Sequence, residues 1–197
     1  MKRLILPALA ALLFSTAAMA QPMRIRGTIA AITPTSMTVT SRDGATLDIA
    51  LAAPLSVSTV KPVALADIKP GSYIGTAARP GANGALVAQE VLVFPEAMRG
   101  AGEGHRPWDL TPESTMTNAA VEGTVVTGDG TELTLAYKGG SQKVVVPPGT
   151  PIVTIAPASV ADLKVGAPVF IGATLNAAGK LSASRVTVGT NGVAPPM

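Results

Sequence analysis

The chain has 197 residues, 15 Lys and Arg against 12 Asp and Glu, one His and no Cys. The missing cysteines exclude disulfides, thiol catalysis and thiolate metal sites, and charges scattered singly along the chain exclude the clustered basic face of a nucleic-acid binder. Hydrophobic content of 47% with 3% aromatics, 20 Gly and 17 Pro points to many turns and few helices.

At the N-terminus, Met1-Lys2-Arg3 is followed by the apolar run Leu4 to Phe14 and by Ala18-Met19-Ala20. A basic start, a short apolar stretch and a small-residue cleavage site read as a secretory signal peptide over residues 1–20, cleaved after Ala20. The run is too short to span a bilayer, which takes ~20 apolar residues, and no Cys follows the cleavage site to carry a lipid. The expected location is periplasmic, with no membrane span after cleavage. Loss of Lys2 and Arg3 leaves the exported chain close to neutral.

From residue 21 the hydrophobic period is two, the mark of half-buried strands. Ile25, Gly27 and Ile29 alternate with Arg24, Arg26 and Thr28, Met37 and Val39 with Thr38 and Thr40, and Leu47, Ile49 and Leu51 with Thr46, Asp48 and Ala50. Asp43-Gly44 and Asn83-Gly84 supply turn residues. Pro62 to Pro70 is less regular, with room for one helical turn, and Gly84-Ala85-Leu86-Val87-Ala88 with Val91 and Val93 closes the stretch. This makes residues 21–95 a first small β-domain.

Residues 96–120 form a connector of different character, expected to be irregular. It holds the chain's one His and one Trp, His105 and Trp108, with Met98, Arg99, Glu103, Arg106, Asp109 and Met116. Three chemistries fit it. His105 with Asp109 or Glu103 is a possible acid–base pair, with Ser114 or Thr115 as nearby hydroxyls. Met98, His105 and Met116 form a possible soft-metal set. The third arrangement is structural: Trp108 fills the groove between two domains while Arg99 and Arg106 pair with Glu103 and Asp109. A ligand could bind alongside it, at His105, Arg106, Trp108, Asp109, Arg99 and Glu103.

Residues 121–190 repeat the first domain. Glu122-Gly123-Thr124-Val125 matches Arg26-Gly27-Thr28-Ile29, Val160-Ala161-Asp162-Leu163-Lys164-Val165-Gly166 matches Leu65 to Gly71, and Gly179-Lys180-Leu181-Ser182-Ala183 matches Gly84 to Ala88, at an offset of about 95. Leu133, Leu135 and Tyr137 continue the alternation. Asp67 and Asp162, at matching places, suit capping of a short helical turn. Tyr73 and Tyr137, the two tyrosines, read as strand packing residues. Residues 191–197 read as a flexible tail. The expected fold is all-β: two tandem five-stranded OB-like barrels joined by the connector, with an SH3-like barrel as the near alternative.

Gly27-Thr28-Ile29, the Leu65-to-Gly71 turn and the closing Gly84-x-Leu86-x-Ala88 strand resemble the exported bacterial "domain of unknown function 5666". The whole exported chain is similar to a subgroup with two such units, whose members are often labelled metal-transporter permeases. The resemblance implies an exported location and a fold; its motifs are packing and turn residues and carry over no catalytic residue. No phosphate loop, dinucleotide fingerprint, metalloprotease helix or nucleophile elbow is present, and no motif asks for a cofactor. The function expected is a non-enzymatic binding or accessory role toward a protein, envelope or small-molecule partner, with a metal-handling factor and an enzyme at His105 as alternatives.

Overall fold

The computed structural model describes residues 23–81 and 84–196, so the expected signal peptide lies outside the described residues. Strands follow one another as β1 (Met23–Ile32), β2 (Ser36–Ser41), β3 (Thr46–Pro62), β4 (Tyr73–Pro80), β5 (Leu86–Val93), β6 (Gly104–Pro107), β7 (Thr115–Thr127), β8 (Gly130–Tyr137), β9 (Gly140–Val146), β10 (Ile152–Pro157), β11 (Pro168–Leu175) and β12 (Leu181–Val188). Short 3-10 turns occupy Leu65–Asp67, Glu96–Met98 and Val160–Asp162. The all-β expectation holds, and among the described residues no helix is long and apolar enough to cross a membrane.

β1, β2 and β3 form an antiparallel meander, with Ile29 opposite Val39 and Val39 opposite Leu47. β12 then runs parallel to β3, with Val186 opposite Val57, while β11 joins β12 to β1. These five strands close into a barrel. Successive side chains on a strand point to opposite faces, so Ile25, Ile29, Met37, Val39 and Ile49 meet Val169, Ile171, Val186 and Val188 inside it.

A second circuit of five strands takes β7, β8 and β9 with β4 and β5. β4 pairs with β7, Ile74 opposite Ala119, and the circuit closes through a short parallel contact of β5 on β9 at Leu86–Val144 and Val87–Val145. Ile74, Val91, Val121, Leu133, Leu135 and Val144 share its core.

The spans 21–95 and 121–190, expected to close separately, therefore do not. Each contributes its meander to one circuit and its last two strands to the other. Alternation fixes which side chains face inward but not which strand supplies the partner. The deciding element is β3, which is too long to stay in one ring. Its first part pairs with β2, Ser56 to Thr59 pair with β12, and Ser58 to Pro62 pair antiparallel with β10. The chain thus crosses from one circuit to the other. Where β3, β10 and β5 meet, Val60, Val153 and Leu92 pack with Tyr73 and Phe94 in a third core.

Two local expectations also change. Ile29 and Val121 occupy like positions: each precedes a one-residue register shift, and each exchanges backbone hydrogen bonds with a turn, Gly166–Ala167 for Ile29 and Gly71–Ser72 for Val121. Gly123-Thr124-Val125, matched by sequence to Gly27-Thr28-Ile29, thus lies four residues further out, on a ribbon that leaves Val125 and Val126 exposed. The tail is not free either: Val193 packs on the third core and Pro195 and Pro196 are buried.

The 3-10 turns at Leu65–Asp67 and Val160–Asp162 fall where helical turns were expected, whereas that at Glu96–Met98 was not expected, and only Asp162 caps. Its carboxylate accepts from the Ser159 N–H at 2.8 Å and from the Ser159 hydroxyl at 3.0 Å. Ala64 stands at the corresponding place before Asp67 and has no hydroxyl to offer.

Candidate functional site

The connector is more ordered than its composition suggests. β6 pairs with the first part of β7 along the edge that β8 leaves at Tyr137. The handover is sealed by Glu103, whose carboxylate accepts from the Lys138 N–H at 2.8 Å. Gly102 and Gly104, at φ 57° and 123°, let the chain turn tightly into β6. Gly102 also lies against Asn118, which is 5% exposed and donates from Nδ2 to the Ala101 carbonyl at 2.9 Å. Asn118 Oδ1 has no hydrogen-bond partner among the described residues and faces Gly75, where a Cβ would sit 2.7 Å away.

His105 stands opposite Thr117 in the β6–β7 register and shares a 2.9 Å hydrogen bond from Nδ1 with its hydroxyl. Its ring stacks on Tyr137 at 6.4 Å. Burial and the neighbouring Arg106 charge hold its pKa below the ordinary value. The acid–base pair is not formed with either expected carboxylate, because Glu103 serves Lys138 and Asp109 serves arginines of β1. Ser114 locks a turn, donating to the Trp108 and Thr111 carbonyls at 3.0 and 2.8 Å.

The soft-metal set is not assembled. Directly paired residues share a face and their neighbours take the other. Thus His105 and Thr117 lie on one face of the β6–β7 ribbon and Arg106 and Met116 on the other. Met116 is 1% exposed, while Met98 sits in the preceding 3-10 turn, half exposed.

Trp108 bridges the two circuits. It follows β6, which is bound to β7, and it packs against the outer face of β1. The Arg24 guanidinium stacks 3.9 Å from its ring centroid, with Arg106 at 5.4 Å and Arg26 at 5.9 Å. Such stacking contributes about 0.5–1 kcal/mol at exposed sites. Trp108 Nε1 is buried without a hydrogen-bond partner among the described residues.

Asp109 continues the clamp. Arg26 Nη2 donates to Oδ1 at 2.9 Å, and Arg24 Nη1 lies 3.6 Å from Oδ2. Burial pushes the Asp109 carboxyl up, but the Arg26 hydrogen bond and the Arg26 and Arg24 charges outweigh it and hold the pKa below the usual range. The expected pairings of Arg99 and Arg106 with Glu103 and Asp109 are therefore replaced. Arg99 donates to Glu96 at 2.7 Å and to the Gly71 carbonyl at 2.9 Å, and Arg106 donates to the Gly102 carbonyl at 2.8 Å.

Sequence reasoning missed Arg24, Arg26 and Arg42. The first two had a signal, since Arg-x-Arg on a strand places both guanidiniums on one outer face. Arg42 follows β2, and its backbone N–H donates to the Arg26 carbonyl. The three line a cleft of about 450 Å³ with Asp109, Leu47 and Leu110.

No family model matches the chain, and neither a curated protein nor a solved structure does.

Proposed function

We propose that the protein is an exported, periplasmic, non-enzymatic binding or accessory module of the two-unit domain-of-unknown-function-5666 type. Its partner is a protein, an envelope component or a small molecule. In this reading the scaffold is a duplicated OB-like unit whose copies have exchanged their last two strands. The β3–β10 register supports duplication: Val60 faces Ile155, Ser58 faces Pro157 and Pro62 faces Val153. Val60 and Ile155 are 95 positions apart, and a 95-residue shift carries Ser58 and Pro62 onto Val153 and Pro157, the partners of Pro62 and Ser58, as a local two-fold axis requires.

The observation that carries the binding role is the connector clamp. β6 is fastened to β7 while Trp108 and Asp109 are fastened to β1, so one unrepeated segment makes a fixed platform across both circuits. His105, Glu103 and Ser114 are committed to a hydroxyl, a backbone N–H and turn carbonyls, which favours a holding role over proton transfer. Cell fractionation should recover the protein from the periplasm. A panel of envelope components and metabolites should raise its melting temperature without being turned over. Turnover that is abolished by His105→Ala in a folded protein would overturn the reading.

A further inference from the structure

We propose that the cleft beside the clamp binds an anion, a carboxylate or phosphate carried on a compact apolar body, held between Arg42 and the Arg24–Arg26 pair. This deepens the binding-module reading and rests on it.

Three arginines line the cleft from two adjacent elements. Arg24 and Arg26 share the outer face of β1, and Arg42 is fixed beside Arg26 by the backbone bond described above. Asp109 supplies direct evidence that this corner accepts an oxyanion, since its carboxylate already rests on Arg26 and Arg24. Asp109 pairs with Arg26 and Arg24 and not with Arg42. The Arg42 guanidinium has no ion pair among the described residues, and the carboxylate nearest in sequence, Asp43, accepts instead from the Ser41 hydroxyl.

The rest of the lining says what the anion should carry. Leu47 and Leu110 are half-buried, Met23 is 51% exposed, and the Ser41 residue lines the same cleft. Exposed apolar side chains next to guanidiniums fit a ligand with an apolar body and one charged end. Arg26, Ser41 and Arg42 also line a neighbouring cleft of about 270 Å³ together with Ala194 and Pro195. The connector, through Asp109 and Leu110, and the packed tail thus flank one arginine ridge.

The test titrates the full-length protein with phenyl phosphate, benzoate, inorganic phosphate and uncharged phenol, followed by backbone amide NMR shifts. Saturable shifts are expected at Ser41, Arg42, Asp43 and Leu110 with phenyl phosphate or benzoate at millimolar affinity or tighter. Inorganic phosphate should bind more weakly, and phenol should leave these amides unmoved. The tighter of the two aryl anions identifies the charged group. Arg42→Ala should weaken binding about tenfold, the effect of one charge-assisted contact, and because the Arg42 side chain is unpaired the fold should be unaffected. Phenol binding as well as the anions, shifts spread away from the cleft, or equal affinity in Arg42→Ala would each overturn the assignment. If the anions fail while another class of compound still stabilises the protein, only this assignment falls. If nothing stabilises it, the binding-module reading falls too.

Discussion

Gly27 and Gly123 look interchangeable in sequence, each followed by Thr and a β-branched residue, yet replacing them with Ala should have opposite effects. At Gly27 a Cβ would strike the Thr40 carbonyl oxygen and lie 2.7 Å from Val39 Cγ1 and 2.9 Å from the Ser41 Cα. Two of these obstacles are backbone, so they cannot rotate away. Overpacking of this kind costs about 1–3 kcal/mol and more when backbone must move. Gly27→Ala should reach or exceed the top of that range. At Gly123 a Cβ meets nothing within 4 Å, and the position does not have a positive φ. There the smaller entropy of the unfolded Ala chain leaves Gly123→Ala neutral or stabilising by up to about 1 kcal/mol. Urea denaturation of both variants gives the comparison, and their midpoints should separate by an amount equivalent to about 3 kcal/mol or more. Equal losses would show that Gly123 occupies the same tight crossing as Gly27, refuting the four-residue displacement.

Gly75→Ala should cost about 1–3 kcal/mol, because its Cβ would lie 2.7 Å from Asn118 Oδ1 and 3.1 Å from Phe94 Cε2. Adding Asn118→Ala should recover part of that loss in a double-mutant cycle, and strictly additive losses would count against the contact. Ala64→Ser should stabilise by about 0.5–1 kcal/mol by giving Asp67 the partner that Ser159 gives Asp162, while Ser159→Ala should cost a similar amount; thermal melts of the two decide it. For His105 the folded pKa is depressed, so the unfolded chain takes up the proton first. The stability it supports is complete above about pH 6.5 and is lost as pH falls below that value toward the folded pKa. His105→Gln should therefore flatten the stability profile between pH 5 and 7.5, and an unchanged slope would refute the assignment.

The strand faces were legible because a pleat imposes a period of two. Ile25, Ile29, Met37, Val39, Ile49, Leu133 and Leu135 all point inward as their spacing requires. Partner choice was not legible, because β11 and β12 are patterned to cover any open meander and nothing in their alternation distinguishes one from the other. β6 escaped notice because four residues are too few to display a period, and Arg106 is partly buried within it. The separate character of the connector was legible in its composition. What its residues do was not, since Asp109 finds Arg26 across 83 positions and no local spacing encodes such a meeting.

The closure of the β1–β3 meander by the last two strands of the chain has a consequence for how the molecule is made. Emerging from its N-terminus, the β1–β3 meander does not complete its ring with the β4–β5 segment that follows at once. Met23 pairs with Ala173, 150 positions later (173 − 23), so the open edges of β1 and β3 persist until nearly the whole chain is available. Non-local closure of this kind slows folding and prolongs the life of sticky, half-paired intermediates. Premature release, truncation before β12 or a stalled chain should therefore yield aggregates rather than one finished barrel and one loose end.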